Sequence, residues 1–207
     1  MIRYFCVLFF SIIAFAQQDS LTVAVPDSLT TYMFYLDEVD LLGDNNSQKE
    51  YRRLKQRVYK VYGFAKLTVS NLDKIDKTLA SLKSKRDKKK YFKIAENYLT
   101  EQFEPRLKKL SYKDAMILIK LINRQSGLTT FDLIKNYKSG FKAVVSNTTA
   151  RLFSLNLKTK YLPKDVKEDF LIEKILNEAF ANFILVEQKP ANPINFEELK
   201  QYWTSKK

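Results

Sequence analysis

A long stripe of apolar residues between positions 54 and 82 is the feature that most restricts the fold of this chain. Its members recur at steps of three and four residues: Leu54, Val58, Val61, Ala65, Val69, Leu72, Ile75, Leu79 and Leu82. Because an α-helix repeats about every 3.6 residues, this spacing places them on one face of a helix of about nine turns. A helix of that length with one apolar stripe needs a partner helix, so the pattern predicts a coiled-coil-type hairpin.

The second helix of this hairpin is predicted over Phe92–Leu110, where the same spacing returns. The charged segment Ser84–Lys90 lies between the two stripes and is predicted to form the tip of the hairpin. We expect Pro105 to kink or break the return helix, because proline removes a backbone donor and crowds the preceding turn. Ser47 and Glu50 are spaced as a capping box, which predicts the start of the first helix.

The chain after the hairpin predicts a core of shorter helices. Ser111 and Asp114 repeat a capping pattern before the apolar segment Ala115–Ile122, and Gly127 is expected to end that helix. The further predicted helices are Thr129–Tyr137, Phe141–Leu157 after a break at Ser139-Gly140, Lys164–Val186, and a short terminal helix that contains Phe196, Leu199, Tyr202 and Trp203. One face of the predicted Lys164–Val186 helix carries Val166, Phe170, Ile175, Ala179 and Phe183. Only four glycines and five prolines occur in 207 residues, which argues against a turn-rich β sandwich and favours a mainly α fold.

The first sixteen residues have the pattern of a secretory signal peptide. Arg3 precedes an apolar run, Phe5–Ala16, that ends in the cleavage pattern Ala14-Phe15-Ala16. The run is shorter than the roughly twenty residues that span a bilayer, so we expect cleavage after Ala16 and a periplasmic location.

The sequence then predicts three further regions. An acidic, flexible arm covers residues 17–46, a helical domain covers 47–188 with a hairpin at 47–110 and a core at 111–188, and an extension covers 189–207. Within the arm, Met33–Leu42 is rich in β-formers and is either one short N-terminal strand or an extended docking segment.

The residue types that remain after cleavage exclude several chemistries. The chain has no histidine, and its one cysteine, Cys6, lies in the signal peptide, which excludes thiol catalysis, histidine base chemistry, disulfides and the usual zinc ligand sets. The catalytic candidates are therefore carboxylates: Glu101, Glu104, Glu168, Asp169 and Glu173. Carboxylates at helical spacing are far more often salt-bridge partners than an acid–base pair. With no catalytic or ligand-binding motif present, we expect a protein that is not an enzyme and holds no cofactor or metal.

The charge of the chain is strongly uneven. Residues 17–48 contain six acidic residues and no basic one, whereas residues 49–93 contain sixteen Lys and Arg against four acidic residues. On the first helix Arg53, Arg57 and Lys60 share a face away from the apolar stripe. This basic ridge is either a solvated surface or a binding surface for an acidic protein or, more weakly, for an anionic membrane surface. The acidic arm folding back on it is a further alternative, and no nucleic-acid-binding motif is present.

Two cations also occur on the apolar third helix. Lys120 and Arg124 lie one turn apart and are followed by Gln125. Such cations either extend to the rim of the helix or point into a shared polar site. We include all three residues among the candidate partner-binding residues.

The second half of the chain carries a series of motifs in a fixed order: Leu118–Gly140 (LIKLINRQSGLTTFDLIKNYKSG), Ala150–Phe153, Asn156–Lys158, Tyr161 and Pro163. In this order they resemble an uncharacterised exported family of the Bacteroidota, a domain of unknown function. That family is similar to the PorD-type periplasmic component of the type IX secretion and gliding machinery. The resemblance implies an accessory subunit that binds outer-membrane-associated envelope proteins, and Lys158 and Tyr161 join the candidate partner-binding residues.

The leading hypothesis is a non-enzymatic periplasmic interaction subunit. Its candidate docking surfaces are the basic hairpin and the aromatic tail at Tyr202 and Trp203, since Tyr, Trp and Arg concentrate binding energy at interfaces. A holdase-type chaperone for unfolded or acidic exported proteins and a cell-envelope hydrolase with a carboxylate site are the alternatives.

Overall fold

The computed structural model describes residues 45–136 and 156–206, which are called the described residues below. They form six α-helices: α1 (Asn45–Ser81), α2 (Lys85–Lys108), α3 (Tyr112–Ser126), α4 (Thr130–Asn136), α5 (Lys167–Ala181) and α6 (Phe196–Ser205). The predicted mainly α fold is confirmed. The predictions for the signal peptide, the acidic arm, Met33–Leu42, the break at Ser139-Gly140 and most of the Phe141–Leu157 helix lie outside the described residues; Leu157 itself lies in a turn.

Helix α1 is the central element of the core among the described residues. Val58, Val61 and Ala65 are fully buried, and the helix packs against α2, α3 and α5, most extensively against α3. The predicted pairing of the two long helices therefore exists, but α2 is not the main partner of α1. Burial of apolar side chains along several neighbours supplies the stability that a single long helix lacks in water.

The connection between α1 and α2 is shorter than predicted. Only residues 82–84 lie outside the two helices, and Ser84 caps α2 by accepting hydrogen bonds from the backbone N–H groups of Arg86 and Asp87. Ser84–Lys90 therefore lies at the end of the hairpin, as predicted, but the Lys and Arg run is helical because it makes the first turns of α2. Lysine and arginine are good helix formers, so a charge run need not interrupt a helix.

Two predicted helix boundaries are also corrected. Helix α1 begins at Asn45, two residues before Ser47, so the predicted capping box of Ser47 and Glu50 is wrong. Helix α2 continues through Pro105 to Lys108, so the predicted break does not occur. Pro105 removes one backbone hydrogen bond of α2, and the helix continues for only three residues beyond it.

Helix α3 begins and ends as the sequence predicts. Ser111 and Asp114 form a reciprocal capping box, and Gly127 ends the helix with a left-handed φ of 74°. Thr129 accepts a hydrogen bond from the backbone N–H of Asp132 and thereby starts α4. These local signals place the buried segment of α3 in register with α1.

We expect Gly127→Ala to lower the free energy of unfolding by about 1–2 kcal/mol. A side chain is strained at this left-handed φ, and the added Cβ would lie 3.3 Å from Ala191 Cβ. Gly63→Ala is the matched control: nothing lies within 4 Å of its added Cβ, and alanine is a better helix former than glycine inside α1, so stability should rise by about 0.5–1 kcal/mol. Urea denaturation of both variants measures the effects, and equal signs would contradict this account.

Helix α5 is shorter than the predicted Lys164–Val186. It ends at Ala181, and the chain turns at Asn182, where the N–H groups of Ile184 and Leu185 return to the carbonyl oxygen of Ala179. Phe183 has a φ of 56° and is 93% exposed. The prediction that Phe183 lies on the buried face of α5 is therefore wrong, since it follows the end of the helix; Val166, which caps α5, is exposed as well.

The terminal helix α6 is confirmed and packs on α5. The rings of Phe196 and Trp203 stack on Phe170 at centroid distances of 6.2 and 5.6 Å, and Trp203 Nε1 donates a hydrogen bond to the carbonyl oxygen of Pro163 at 2.8 Å. Among the described residues, every helix is too short or too polar to cross a membrane.

Candidate functional site

A buried ion pair joins α3 to α5. Arg124 donates two hydrogen bonds to Glu173, from Nε to Oε2 and from Nη2 to Oε1, each at 2.8 Å. Both side chains are 3% exposed. Arg124 Nη1 also donates to the carbonyl oxygen of Gln188 at 3.2 Å. Of the two predicted positions for Arg124, the helix rim and a shared polar site, the structure has the second.

Lys120 forms a second contact between the same helices. Its Nζ lies 2.6 Å from Asp169 Oδ1 and donates a hydrogen bond to Glu168 Oε1 at 2.9 Å. Asp169 is completely buried, and its other oxygen accepts a hydrogen bond from the backbone N–H of Leu162 at 2.8 Å. Lys120 therefore neutralises a carboxylate that has no access to water.

Tyr161 connects these two ion pairs. Its hydroxyl group donates to Glu173 Oε2 at 2.7 Å and lies 2.9 Å from the carbonyl oxygen of Asp169. The backbone N–H of Tyr161 donates to Asn123 Oδ1 at 2.8 Å, which fixes the turn before α5 against α3. We call Lys120, Arg124, Tyr161, Asp169 and Glu173, with Glu168 at their exposed edge, the buried ionic cluster.

Burial and pairing shift the pKa values of this cluster in definite directions. Burial raises the pKa of the Tyr161 hydroxyl well above its usual value, and the neighbouring Glu173 carboxylate raises it further. Burial alone would lower the pKa of Lys120, but hydrogen bonds to Asp169 and Glu168 outweigh it and raise that pKa. Burial raises the pKa of Asp169, although the Leu162 N–H and Lys120 oppose the shift. The cluster thus holds Lys120 charged and Tyr161 neutral.

These directions predict a loss of stability in alkaline solution. The folded pKa values of Tyr161, Lys120 and also Tyr62, which burial raises, lie above their unfolded values. The stabilisation that these three groups give the folded state is complete below a pH of about 10, the unfolded pKa. It is lost as the pH rises toward their folded pKa values, and the free energy of unfolding falls by up to about 1.4 kcal/mol per pH unit for each group. Urea denaturation between pH 9 and pH 11.5, roughly, measures the slope.

The control for this prediction is a pair of Tyr→Phe variants. Tyr161→Phe should reduce the alkaline slope, whereas Tyr112→Phe, which alters a ring that is 54% exposed, should leave it as in the parent chain. An equal slope in both variants would contradict the role given to Tyr161.

Four of the five carboxylates considered for catalysis are engaged in ion pairs. Glu168, Asp169 and Glu173 belong to the buried ionic cluster, and Glu104 pairs with Lys108 at 2.6 Å on α2, while Glu101 is exposed. Chemically, the cluster fixes the relative positions of α3, α5 and the turn before α5. Within residues 45–136 and 156–206, no group of three or more His, Cys, Asp or Glu side chains could hold a metal ion.

The predicted basic ridge on α1 is partly neutralised inside the molecule. Lys60 Nζ donates a hydrogen bond to Asp114 Oδ2 at 2.6 Å, and Arg57 Nε lies 3.7 Å from Asp114 Oδ1. Burial alone would raise the pKa of Asp114, but Lys60 and Ser111 lower it. Arg53 is exposed. Two of the three ridge cations therefore hold α1 against the start of α3.

The strongest accessible concentration of charge lies where α1 connects to α2. We define the basic tip as Lys83, Lys85, Arg86, Lys88, Lys89, Lys90 and Lys93, all of which are exposed. Asp87 is the single acidic residue within this segment. None of the seven cations forms an ion pair with another described residue. The basic tip is thus a positive surface that the described part of the chain does not neutralise.

The other candidate residues are scattered. Lys158 Nζ lies 4.8 Å above the ring of Phe131, Gln125 is buried and its amide makes no hydrogen bond to the described residues, and Tyr202 contacts Trp203 edge-on at 5.8 Å. Because Trp203 packs on α5, the aromatic tail is partly buried against the chain itself. These residues do not converge with the basic tip on one site.

The sequence did not reveal which carboxylates pair with the candidate cations on α1 and α3. Asp114 was assigned only a capping role, although it also pairs with Lys60, and the carboxylates on α5 were not matched with Lys120 and Arg124. The signal for the second pairing was present: Lys120 and Arg124 lie on the apolar face of α3, and Asp169 and Glu173 lie on the apolar face of α5, where a charge requires a partner.

Comparison with known protein families identifies a relationship. The model of a family described as a domain of unknown function (DUF4294) matches residues 30–178. No curated protein and no solved structure matches this chain.

Proposed function

We propose that this chain, which belongs to the DUF4294 family of domains of unknown function, is a non-catalytic protein-interaction subunit that binds an acidic partner protein through its basic tip. The single observation that carries the proposal is the exposed group of seven cations at the start of α2. Such a group attracts an acidic surface over a distance and speeds its association.

Four of the other charged candidates support this choice because they already pair with carboxylates of the chain. Lys60 and Arg57 are held by Asp114, and Lys120 and Arg124 by carboxylates of α5. Using Lys60, Lys120 or Arg124 for a partner protein would take from a buried carboxylate its nearest cation, which is costly. The basic tip can bind a partner without such a penalty.

We also propose where the protein is located and which assembly it joins. The signal-peptide pattern of residues 1–16 supports a periplasmic protein, and the resemblance to PorD-type components supports an accessory role in the type IX secretion or gliding machinery. The acidic partner is then an outer-membrane-associated protein of that apparatus.

The test compares two variants with equal charge changes. In the tip variant Lys85, Lys88, Lys89 and Lys90 are replaced by glutamine, and in the control variant Lys135, Lys160, Lys167 and Lys200 are replaced by glutamine. All eight lysines are exposed, so both variants should fold as the parent does. Each tagged chain is then purified from envelope extracts in mild detergent.

We expect the parent and the control variant to retain one or two stoichiometric envelope proteins that the tip variant loses. Recovery of the parent chain alone would overturn the proposal. Equal loss from both variants would mean that net charge, and not the basic tip, determines binding. A broad mixture of unfolded clients would instead identify a holdase.

A further inference from the structure

Two apolar side chains continue the basic tip along α2. Ile94 is 58% exposed and Tyr98 is 47% exposed. They follow Arg86 and Lys90 at a spacing of four residues, so these four side chains form one row on the helix surface, over a length of about 18 Å. The row is cationic at its start and apolar at its end.

The core does not require apolar residues at these two positions. Helix α2 packs on the core through Ala95, Leu99 and Phe103, which are buried, and the ring of Phe103 lies 5.1 Å from that of Phe64 on α1. Single exposed apolar residues are common on protein surfaces. Here two of them are neighbours, and they continue a row of exposed cations.

We infer that this row of α2 is the docking face for an amphipathic helix of the partner protein, an inference that rests on the proposed function. The partner helix carries acidic residues at one end, opposite Arg86 and Lys90, and an apolar stripe next to them, opposite Ile94 and Tyr98. Charge complementarity fixes its chemistry and its direction, and helix-in-groove recognition uses the same apolar spacing.

A protein helix fits this surface better than a lipid bilayer does. An interfacial membrane helix buries a wide apolar face in the lipid. Helix α2 has its wide apolar face, with Ala95, Leu99 and Phe103, against α1, and offers only the narrow strip of Ile94 and Tyr98 to the outside. The narrow apolar surface of Ile94 and Tyr98 has the width of the apolar stripe on one amphipathic partner helix.

The probe is a synthetic amphipathic peptide with glutamates in its first turns and leucines at helical spacing after them. A scrambled peptide of the same composition keeps the charge but loses the stripe. Binding to the full chain is measured by fluorescence anisotropy over a range of salt concentrations. The variants are Ile94→Ala with Tyr98→Ala, and the tip variant described above.

We expect Ile94→Ala with Tyr98→Ala to weaken binding of the amphipathic peptide about tenfold, or about 1.4 kcal/mol, with an unchanged dependence on salt. Alanine maintains the helix, so loss of fold is not expected. The control, Tyr112→Ala with Leu128→Ala, removes apolar side chains that are 54% and 41% exposed elsewhere and should bind as the parent does. The tip variant should instead weaken binding of both peptides and reduce its salt dependence.

The outcomes separate the two proposals. If Ile94→Ala with Tyr98→Ala binds both peptides as the parent does while the tip variant loses them, the docking face is overturned and the proposed function stands. If the tip variant binds as the parent does, the proposed function fails. Tighter binding to vesicles that contain anionic phosphatidylglycerol than to the amphipathic peptide, lost in Ile94→Ala with Tyr98→Ala, would show that the row binds lipid and would overturn the inference.

Discussion

Replacing Arg124 with methionine should lower the free energy of unfolding by about 3–5 kcal/mol, the largest effect that we expect from one substitution. The change removes both hydrogen bonds to Glu173 and leaves that carboxylate buried without a cation. Loss of one partner of a buried pair costs more than loss of both, because the desolvated charge remains. Urea denaturation at neutral pH measures the change.

The matching experiment removes Glu173 as well. In Arg124→Met with Glu173→Met, the hydroxyl group of Tyr161 keeps the carbonyl oxygen of Asp169 as a partner, so most of the stability should return. The exposed pair of Asp73 and Lys77 is the control, since Lys77→Met should change stability by less than about 1 kcal/mol. A loss of less than about 1 kcal/mol in Arg124→Met would contradict the buried pair.

Leu121→Ala should lower the free energy of unfolding by about 2–5 kcal/mol. Leu121 is completely buried in the cluster that joins α1, α3 and α5, and its removal leaves a cavity that close-packed neighbours fill only in part. Leu128→Ala is the matched control, because Leu128 is 41% exposed, and it should cost less than about 1 kcal/mol. Thermal and urea denaturation give the two values; similar losses would mean that Leu121 is not part of the core.

The helices of this chain were largely predictable from its sequence because their signals are local. The apolar stripe that begins at Leu54 identified α1, and the Ser111 capping box and Gly127 identified both ends of α3. The errors arose where local signals compete. The run after Ser84 was assigned to a turn because of its charge, although lysine and arginine favour helices, and Phe183 continued the apolar pattern of α5 beyond the residue at which the helix ends.

The candidate site was less predictable because it depends on contacts between distant parts of the chain. Lys120 and Arg124 were identified as unusual, but their partners lie 49 positions away, at Asp169 and Glu173, and no local pattern encodes that pairing. The exposure of Ile94 and Tyr98 depends likewise on which face of α2 packs on α1. The periodicity of a sequence shows which residues share a face of a helix, but it does not show which other helix packs against that face.

Among the described helices, α2 packs chiefly against α1, so its detachment would disturb few contacts between the others. A segment with few contacts unfolds locally at a lower free energy than the rest of the protein. A ligand that binds α2 holds this helix in place, and the helix loses conformational entropy. The binding free energy of the ligand must therefore offset that loss. The same arrangement lets the ligand stabilise α2 without rearranging the cluster of charges that fastens α3 to α5.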